Sequence, residues 1–360
     1  MKTREGLEKM VLRIGINGFG RIGRITYRAL LEKGGVDVVA VNDLADSRTL
    51  AHLLRYDSLY ERLPFDVRAG NSSIFVDGKE ILTFWEKDPE NVPWGDLGVE
   101  IVIESTGVFR DREGAGRHLK AGAKRVIVTA PMRDADLTVV MGVNEEQYRP
   151  REHHILSNAS CTTNALAPVA KVLQQNFGIE KALINTTHAY TNDQRLLDYP
   201  HGDLRRSRAA FLSLIPTSTG AARAVGEVFP ELQGRIDGFA VRVPVPVVSL
   251  LDIVAVLEVK EVTKEEINAV FQRAAEEMPG ILSYSEEPLV SVDYRRSPYS
   301  SVIDGLSTMV TGGNMARAVA WYDNEWSYSS RIADLALYLK MREKEGRNAV
   351  AAGSRLQGVE

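Results

Sequence analysis

From Val11 to about Val143 the apolar positions fall in short runs separated by amphipathic stretches. "VLRIGI" is a β-type run, followed by glycines and the helix-like "RIGRITYRALLEKG". The alternation continues through "VDVVAVND", a helix-like "SRTLAHLLRY" and a polar, strand-rich region reaching "SIFVDGKEILTFW". The apolar run "VEIVIEST", a helix-like segment near 111–121, and the strands "KRVIVTA" and "LTVVMGV" complete this half. Short β-branched strands alternating with helices predict a parallel sheet covered on both faces.

The second half has a different pattern. A helix after Ser160 is followed by longer strands in "ALINTTHAY", "RIDGFAVRVPV", "VVSLLDIVAVLEV" and "ARAVAWYD". They predict a mixed or antiparallel sheet carrying a few helices, so the fold class is α/β with a parallel-sheet first domain and an α+β second. The expected division is residues 11–160 and 161–325, with a helix over about 326–345 returning to the first domain. Residues 1–10 and 346–360 read as flexible extensions, the latter polar and rich in small residues.

Composition narrows the partners. The chain has 360 residues, enough for two cores, with 44% hydrophobic and 26% charged residues, the balance of an ordinary globular protein. A formal net charge of −4 gives no basic field for nucleic acid or anionic membrane. No apolar run approaches the ~20 residues that would span a bilayer. The start, "MKTREGLEKM", lacks the apolar region of a signal peptide. One cysteine cannot close an internal disulfide. The expectation is a soluble, cytoplasmic protein.

"GINGFGRIGR" places Gly18, Gly20 and Gly23 in G-x-G-x-x-G spacing at the first strand–helix junction. There glycines form a tight turn, let the backbone approach a pyrophosphate and pack helix on strand. The helix N-terminus would then offer its free N–H groups to the phosphates. "AVND" places Asp43 twenty residues after Gly23, where a carboxylate can bind a ribose 2′-hydroxyl and repel a 2′-phosphate. That combination predicts NAD rather than NADP. Incidental glycines in a flavodoxin-like sheet are the competing explanation.

Cys161 lies in "SNASCTTNALAPVAKVLQQNFG", which reads as a strand end, a Ser160 N-cap and a long helix. A lone cysteine is often only a small buried hydrophobe. At a helix start, however, unpaired N–H groups and the macrodipole favour a thiolate. Pro168, inside the helix, is expected to remove a hydrogen bond and kink it. Among six histidines, the adjacent His153 and His154 have no accompanying ligand cluster and suggest no metal site. His188 ends a strand in "INTTHAYTNDQ". Taken alone it could be a satisfied core residue; beside the helix-start thiol it is the candidate base of a Cys–His pair.

Together, "INGFGRIGR", "VNDL", "ESTGVF", "SNASCTTNALAPVAKVL", "THAYTNDQ", "IPTSTGAARAVG" and "WYDNEW" closely resemble the phosphorylating glyceraldehyde-3-phosphate dehydrogenases, from about Val11 to Leu339. The resemblance implies a homotetramer with NAD bound across each first domain. It implies that Cys161 attacks an aldehyde and that His188 is its base. It puts the substrate phosphate near Thr191, Asp193, Arg206 and Arg242, and the attacking phosphate near Ser160, Thr162, Thr219, Gly220 and Arg242. Cofactor contacts would come from Gly18, Phe19, Gly20, Arg21, Ile22, Gly23, Asp43, Thr106, Gly107, Asn324 and Tyr328. "LLDYPHGDLRRSRAA" is similar to the bacterial form of the loop lining a neighbouring subunit's cofactor site, although "RRSR" is also compatible with a solvated basic face.

The sequence departs from the family pattern at four places. Ala165 stands where a second cysteine is common, and Val245 and Val247 replace polar residues. Ser327 stands where glycine is usual, and Tyr199 where bacterial relatives often have leucine. None removes a catalytic group. Erythrose-4-phosphate dehydrogenase is a sister possibility with the same chemistry. A catalytically relaxed NAD-binding scaffold is a possibility of another class, disfavoured by the intact nucleophile, base and anion ligands.

Overall fold

The computed structural model describes residues 11–356, with side chains through Glu345. Among the described residues the chain forms two compact units. One takes the chain through Val139, Glu145–Asn158 and Ser329 onward; the other takes Val140–Asn144 and Ala159–Tyr328.

The first unit is built on a nine-stranded sheet. Its strands are β1 (Leu12–Asn17), β2 (Val36–Asn42), β3 (Val67–Ala69), β4 (Ser73–Val76), β5 (Lys79–Phe84), β6 (Ile101–Glu104), β7 (Arg125–Val128), β8 (Leu137–Thr138) and β9 (Ile155–Ser157). They lie in the order β3-β4-β5-β2-β1-β6-β7-β9-β8. All pairings from β5 through β8 are parallel, while β3–β4 and β4–β5 are antiparallel. Beside β1 the strand order reverses direction, with β2 on one side and β6 on the other. In open α/β sheets such a switch point is where ligands bind. The helices here are α1 (Arg21–Lys33), α2 (Ser47–Arg55) and α3 (Arg112–Lys120).

Local chemistry explains several boundaries. Asp46 and Asp111 accept N–H bonds at the starts of α2 and α3. The β4–β5 hairpin turns at Asp77 and Gly78, both with positive φ, as a two-residue type I′ loop demands. "LTVVMGV" contributes less strand than its apolar run predicts, since only Leu137 and Thr138 pair with β9. Gly142 takes φ +84° and the Asn144 side chain accepts the Val140 N–H, so the segment turns instead.

The second unit contains α4 (Cys161–Phe177), β10 (Ile179–Ala189), β11 (Ile215–Ser218), α5 (Ala221–Val228), β12 (Ile236–Val243) and β13 (Ser249–Leu257). It continues with α6 (Lys264–Glu277), β14 (Leu282–Ser285), β15 (Ser301–Asp304), β16 (Met309–Thr311) and β17 (Met315–Tyr322). The eight strands form a mixed, mostly antiparallel sheet in which β10–β12 and β14–β15 are the parallel pairs. One core cluster joins Leu166, Val169 and Leu173 of α4 to Leu251 and Ile253 of β13, Ala318 of β17 and Phe271 of α6. Truncating a fully buried phenylalanine such as Phe271 to alanine costs about 3–5 kcal/mol.

Pro168 lies inside α4, which nevertheless runs unbroken to Phe177. Ser301 Oγ donates to the Ala165 carbonyl at 2.7 Å, giving a carbonyl in this part of the helix a donor from outside it. The last helix, α7 (Trp326–Leu356), runs beyond the Glu345 limit read from the sequence. Its alanine-, arginine- and leucine-containing end has good helix propensity and no proline. The expected extension at 1–10, and the last four residues of the one expected at 346–360, lie outside the described residues, whereas 346–356 are helical. Among the described residues no helix is long and apolar enough to cross a membrane.

Candidate active site

In the first unit the glycine turn follows β1. Gly18 has φ +86°, and a Cβ there would stand 2.6 Å from the Thr106 nitrogen. A Cβ at Gly23 would lie 2.1 Å from the Gly18 carbonyl oxygen, so only glycine lets α1 sit this close to the turn. At Gly20 a Cβ would meet nothing within 4 Å. Gly20 is also the N-cap of α1 and supplies no side-chain cap, leaving room and free N–H groups for an anion.

Asp43, just beyond β2, braces this turn. Its Oδ2 accepts the Phe19 N–H at 2.7 Å and its Oδ1 accepts the Ala45 N–H at 3.1 Å. Arg24 Nη1 donates to the Phe19 carbonyl at 2.7 Å. Two expected cofactor residues have side chains engaged elsewhere. Phe19 is wholly buried with its ring edge-on to Tyr27, and Arg21 is paired with Asp57 at 2.9 Å. Burial works against the Asp57 carboxylate, but the Leu59 and Tyr60 N–H groups and Arg21 outweigh it and hold its pKa below the usual value. Ile22 is half-buried, and Gly107 takes φ +73° in the turn after β6. Open space at Gly20, an uncapped helix start and a carboxylate at a neighbouring strand end together fit a dinucleotide.

The thiol lies in the second unit, at the first position of α4. Ser160 Oγ accepts the Thr163 N–H at 3.0 Å and caps the helix. Immediately before it, Ala159 adopts φ +53°, and its carbonyl accepts the Tyr328 hydroxyl at 2.9 Å. His188, near the end of β10, brings Nε2 to 3.4 Å from Cys161 Sγ. On the other side of the ring, Nδ1 lies 2.7 Å from the Ala189 carbonyl oxygen and 2.8 Å from Arg242 Nη1. Arg242 Nη1 also donates to that carbonyl, at 3.0 Å. A guanidinium can only donate, so Nδ1–H given to the Ala189 carbonyl requires Nη1 to direct its hydrogen to that carbonyl and not to Nδ1. In that tautomer Nε2 keeps its lone pair for the thiol proton.

Arg242 Nε is buried without a hydrogen-bond partner. A buried guanidinium in this state is a ready anion ligand. Burial is the largest influence on both partners of the Cys–His pair. It pushes the Cys161 thiol up, against the opposing pull of Arg242 and bonds from Thr162. It pushes His188 down to about 3, assisted by the Arg242 charge and opposed by the Ala189 carbonyl. Proton transfer from sulfur to Nε2 creates opposite charges in contact, each offsetting the other's desolvation.

The remaining expected ligands sort into several arrangements. Arg206 donates to Asp193 at 2.6 Å and to Thr217 at 2.9 Å, and Asp193 also meets His201 Nε2 at 3.3 Å. Asp193 thus orients Arg206; a carboxylate would itself repel a phosphate. The Thr191 N–H is bound by the Gln194 side chain. Thr219 Oγ1 accepts the Ala221 N–H, and Gly220 is the uncapped start of α5. Thr162 has a partner within the protein. It is 5% exposed, and its hydroxyl meets Tyr322 OH, which also meets Thr186. Asn324 accepts from Ser249, whose Oγ accepts the Ala189 N–H.

Comparison with known proteins addresses the family directly. Residues 12–112 match the model of the glyceraldehyde 3-phosphate dehydrogenase NAD binding domain, and residues 160–324 match that of the C-terminal domain. The glyceraldehyde-3-phosphate dehydrogenase of Geobacillus stearothermophilus is 59% identical over 92% of this chain and 98% of its own length. That of Streptomyces coelicolor is 53% identical over 92% of this chain and 99% of its own length. The chain belongs to the glyceraldehyde 3-phosphate dehydrogenase family. It is accordingly an NAD-dependent oxidoreductase, and the Cys161–His188 contact suits the catalytic thiol of a glyceraldehyde 3-phosphate dehydrogenase.

Within that family frame the departures are accommodated locally. Ser327 folds its hydroxyl back onto the Asp323 carbonyl at 2.8 Å at the start of α7. Val247 is buried, and the adjacent Val248 takes φ +69°, a costly conformation for a β-branched residue. Tyr322 and Ser249 escape sequence reading because ordinary strand residues carry no local signal. Their roles come from strand neighbours far away in sequence.

Proposed function

We propose that the protein oxidises D-glyceraldehyde 3-phosphate with NAD and inorganic phosphate to 1,3-bisphosphoglycerate, with Cys161 as nucleophile and His188 as base. The observation that carries this assignment is the 3.4 Å contact between Cys161 Sγ and His188 Nε2 at the start of a helix. His188 takes the thiol proton as sulfur bonds to the aldehyde carbon, and the Cys161 N–H faces the developing oxyanion. His188 returns that proton to the alkoxide, giving the hemithioacetal hydroxyl, and as neutral imidazole takes it back while the carbon is oxidised to a thioester. When bound, NAD supplies the hydride acceptor. Phosphate oxygen attacks the thioester carbon, the C–S bond breaks, and the acyl phosphate leaves Cys161 as thiolate.

Arg242, beside His188, is assigned to the anions, with Arg206 and Thr191 toward the substrate phosphate and Thr219 and Gly220 toward the attacking one. NAD binding is assigned to the first unit and catalysis to the second. Asp43 supports preference for NAD, since its carboxylate would repel a 2′-phosphate.

A homotetramer is supported by the apolar side chains left on the segment after β10. Leu196, Leu197, Tyr199, Leu204, Leu212 and Leu214 are each at least 67% exposed, an unusual run for an isolated chain. A cytoplasmic location is supported by a lone reactive thiol, which a reducing compartment preserves.

The test is NADH formation with glyceraldehyde 3-phosphate, with and without phosphate, against Cys161→Ser. Turnover that requires phosphate and is lost in the variant is expected. Preference for erythrose 4-phosphate, or no turnover with either aldehyde, would overturn the assignment. Light scattering of the purified protein at about four times the 39.8 kDa chain mass is expected.

A further inference from the structure

Three adjacent parallel strands of the first unit end in polar residues, and their side chains are joined. Asn42 ends β2, Asn17 ends β1 and Glu104 ends β6. Asn42 Nδ2 donates to Asn17 Oδ1 at 2.7 Å, and Asn17 Nδ2 donates to Glu104 Oε2 at 2.5 Å. Asn42 is fixed in turn by the Glu86 backbone at 2.8 and 2.9 Å. The loops leaving these strands are the glycine turn, the Asp43 loop and the Thr106–Gly107 turn, all assigned above to the cofactor.

Glu104 is the centre of this staple, and His118 of α3 lies behind it. Both are buried, at 1% and 0% exposed. Glu104 Oε1 accepts the Thr106 N–H at 2.8 Å and the Thr106 hydroxyl at 2.5 Å. The Thr106 hydroxyl oxygen then accepts the Val108 N–H at 3.0 Å. His118 Nε2 meets Glu104 Oε2 at 3.0 Å, and Trp94 Nε1 donates to His118 Nδ1 at 3.1 Å. An indole N–H can only donate, so Nδ1 is the acceptor and the ring proton sits on Nε2, directed at Glu104. Four donors converge on two carboxylate oxygens, and none of the four is a lysine or arginine.

We propose that Trp94, His118 and Glu104 form a buried relay that positions the Thr106–Gly107 and glycine turns for the dinucleotide, so that His118 governs cofactor affinity without touching the cofactor. His118 is a positioning residue. Its imidazole supplies one of the donors that keep the Glu104 carboxylate aimed at Thr106 and Asn17 rather than free to rotate. Loss of that donor leaves a buried carboxylate short of a partner, an error that the two attached turns must absorb. The proposal rests on the assignment of NAD to the first unit.

The test is calorimetric titration of the protein with NAD, beside steady-state kinetics and the iodoacetamide reactivity of Cys161. His118→Phe fills similar volume without a donor and is expected to weaken NAD binding by about tenfold. The KM for aldehyde and the thiol reactivity should stay within about twofold, since both belong to the second unit. His118→Gln places an amide donor near the Nε2 position and is expected to recover most of the affinity. Trp94→Phe, which frees the ring to turn, should give a smaller loss, about threefold, and carries the test if His118→Phe does not fold. Unchanged NAD affinity in the variant that folds would overturn the proposal. So would equal losses in His118→Phe and His118→Gln, or parallel losses of NAD affinity, aldehyde KM and thiol reactivity. A wild-type protein that binds no NAD would overturn the cofactor assignment itself.

Discussion

His188 and Arg242 are direct partners in the parallel β10–β12 register, and the guanidinium Nη1 lies 2.8 Å from imidazole Nδ1. The cation adds to burial in depressing the basicity of His188, the proposed base, and is itself the proposed anion ligand. An anion bound at Arg242 offsets that depression, so substrate binding strengthens the base. Arg242→Gln is expected to raise the His188 pKa from about 3, read by NMR titration, while kcat/KM falls at least about a hundredfold from lost anion binding. An unmoved histidine titration would contradict the electrostatic part of this account.

With one cysteine in the chain, alkylation reports on Cys161 alone. In His188→Asn the thiol loses its proton acceptor, while the burial that raises its pKa remains. Iodoacetamide inactivation at pH 7 is expected to slow by more than about tenfold, and the rate–pH curve should move to the alkaline side. Ala165 excludes rescue by a neighbouring thiol.

The lowered pKa of His188 has a consequence for stability with a definite sign. In the fold the imidazole stays neutral down to about pH 3, whereas in the unfolded chain it takes up a proton below about pH 6.5. The unfolded state binds the extra proton in that window, so stability is retained above about pH 6.5 and lost as pH falls toward 3. In a Cys161→Ser background, which removes the coupled thiol, His188→Asn should flatten the profile by about 1.4 kcal/mol per pH unit within the window. Parallel profiles from urea unfolding at pH 4.5 to 6.5 would refute the assignment.

Gly20 and Gly23 belong to one motif, yet their substitutions should fail differently. A Cβ at Gly23 meets the Gly18 carbonyl oxygen at 2.1 Å, so Gly23→Ala must displace backbone and is expected to cost about 2–4 kcal/mol of stability. A Cβ at Gly20 meets no protein atom within 4 Å. Gly20→Ala should melt within about 2 °C of wild type while NAD binding weakens, because the methyl occupies room assigned to the pyrophosphate. Equal thermal shifts in the two variants would refute the distinction.

Much of the architecture is written in local pattern. Alternating β-branched runs and helical stretches announce the parallel sheet, because strands covered on both faces must be apolar throughout. The glycine turn is legible because only glycine tolerates the Gly18 dihedral and the Gly23 approach. The helix-start thiol is legible because Ser160 is a good N-cap. Tertiary structure decided what depends on residues far apart in the chain. It set His188 against Arg242, committed Thr162 to Tyr322, made Asp193 the partner of Arg206, and buried His118 behind Glu104. Strand order and register create these contacts, and a one-residue slip would turn His188 to the other face without altering any local propensity. The sequence by itself therefore determined which groups are available for chemistry. The pairing of strands decided which of them meet.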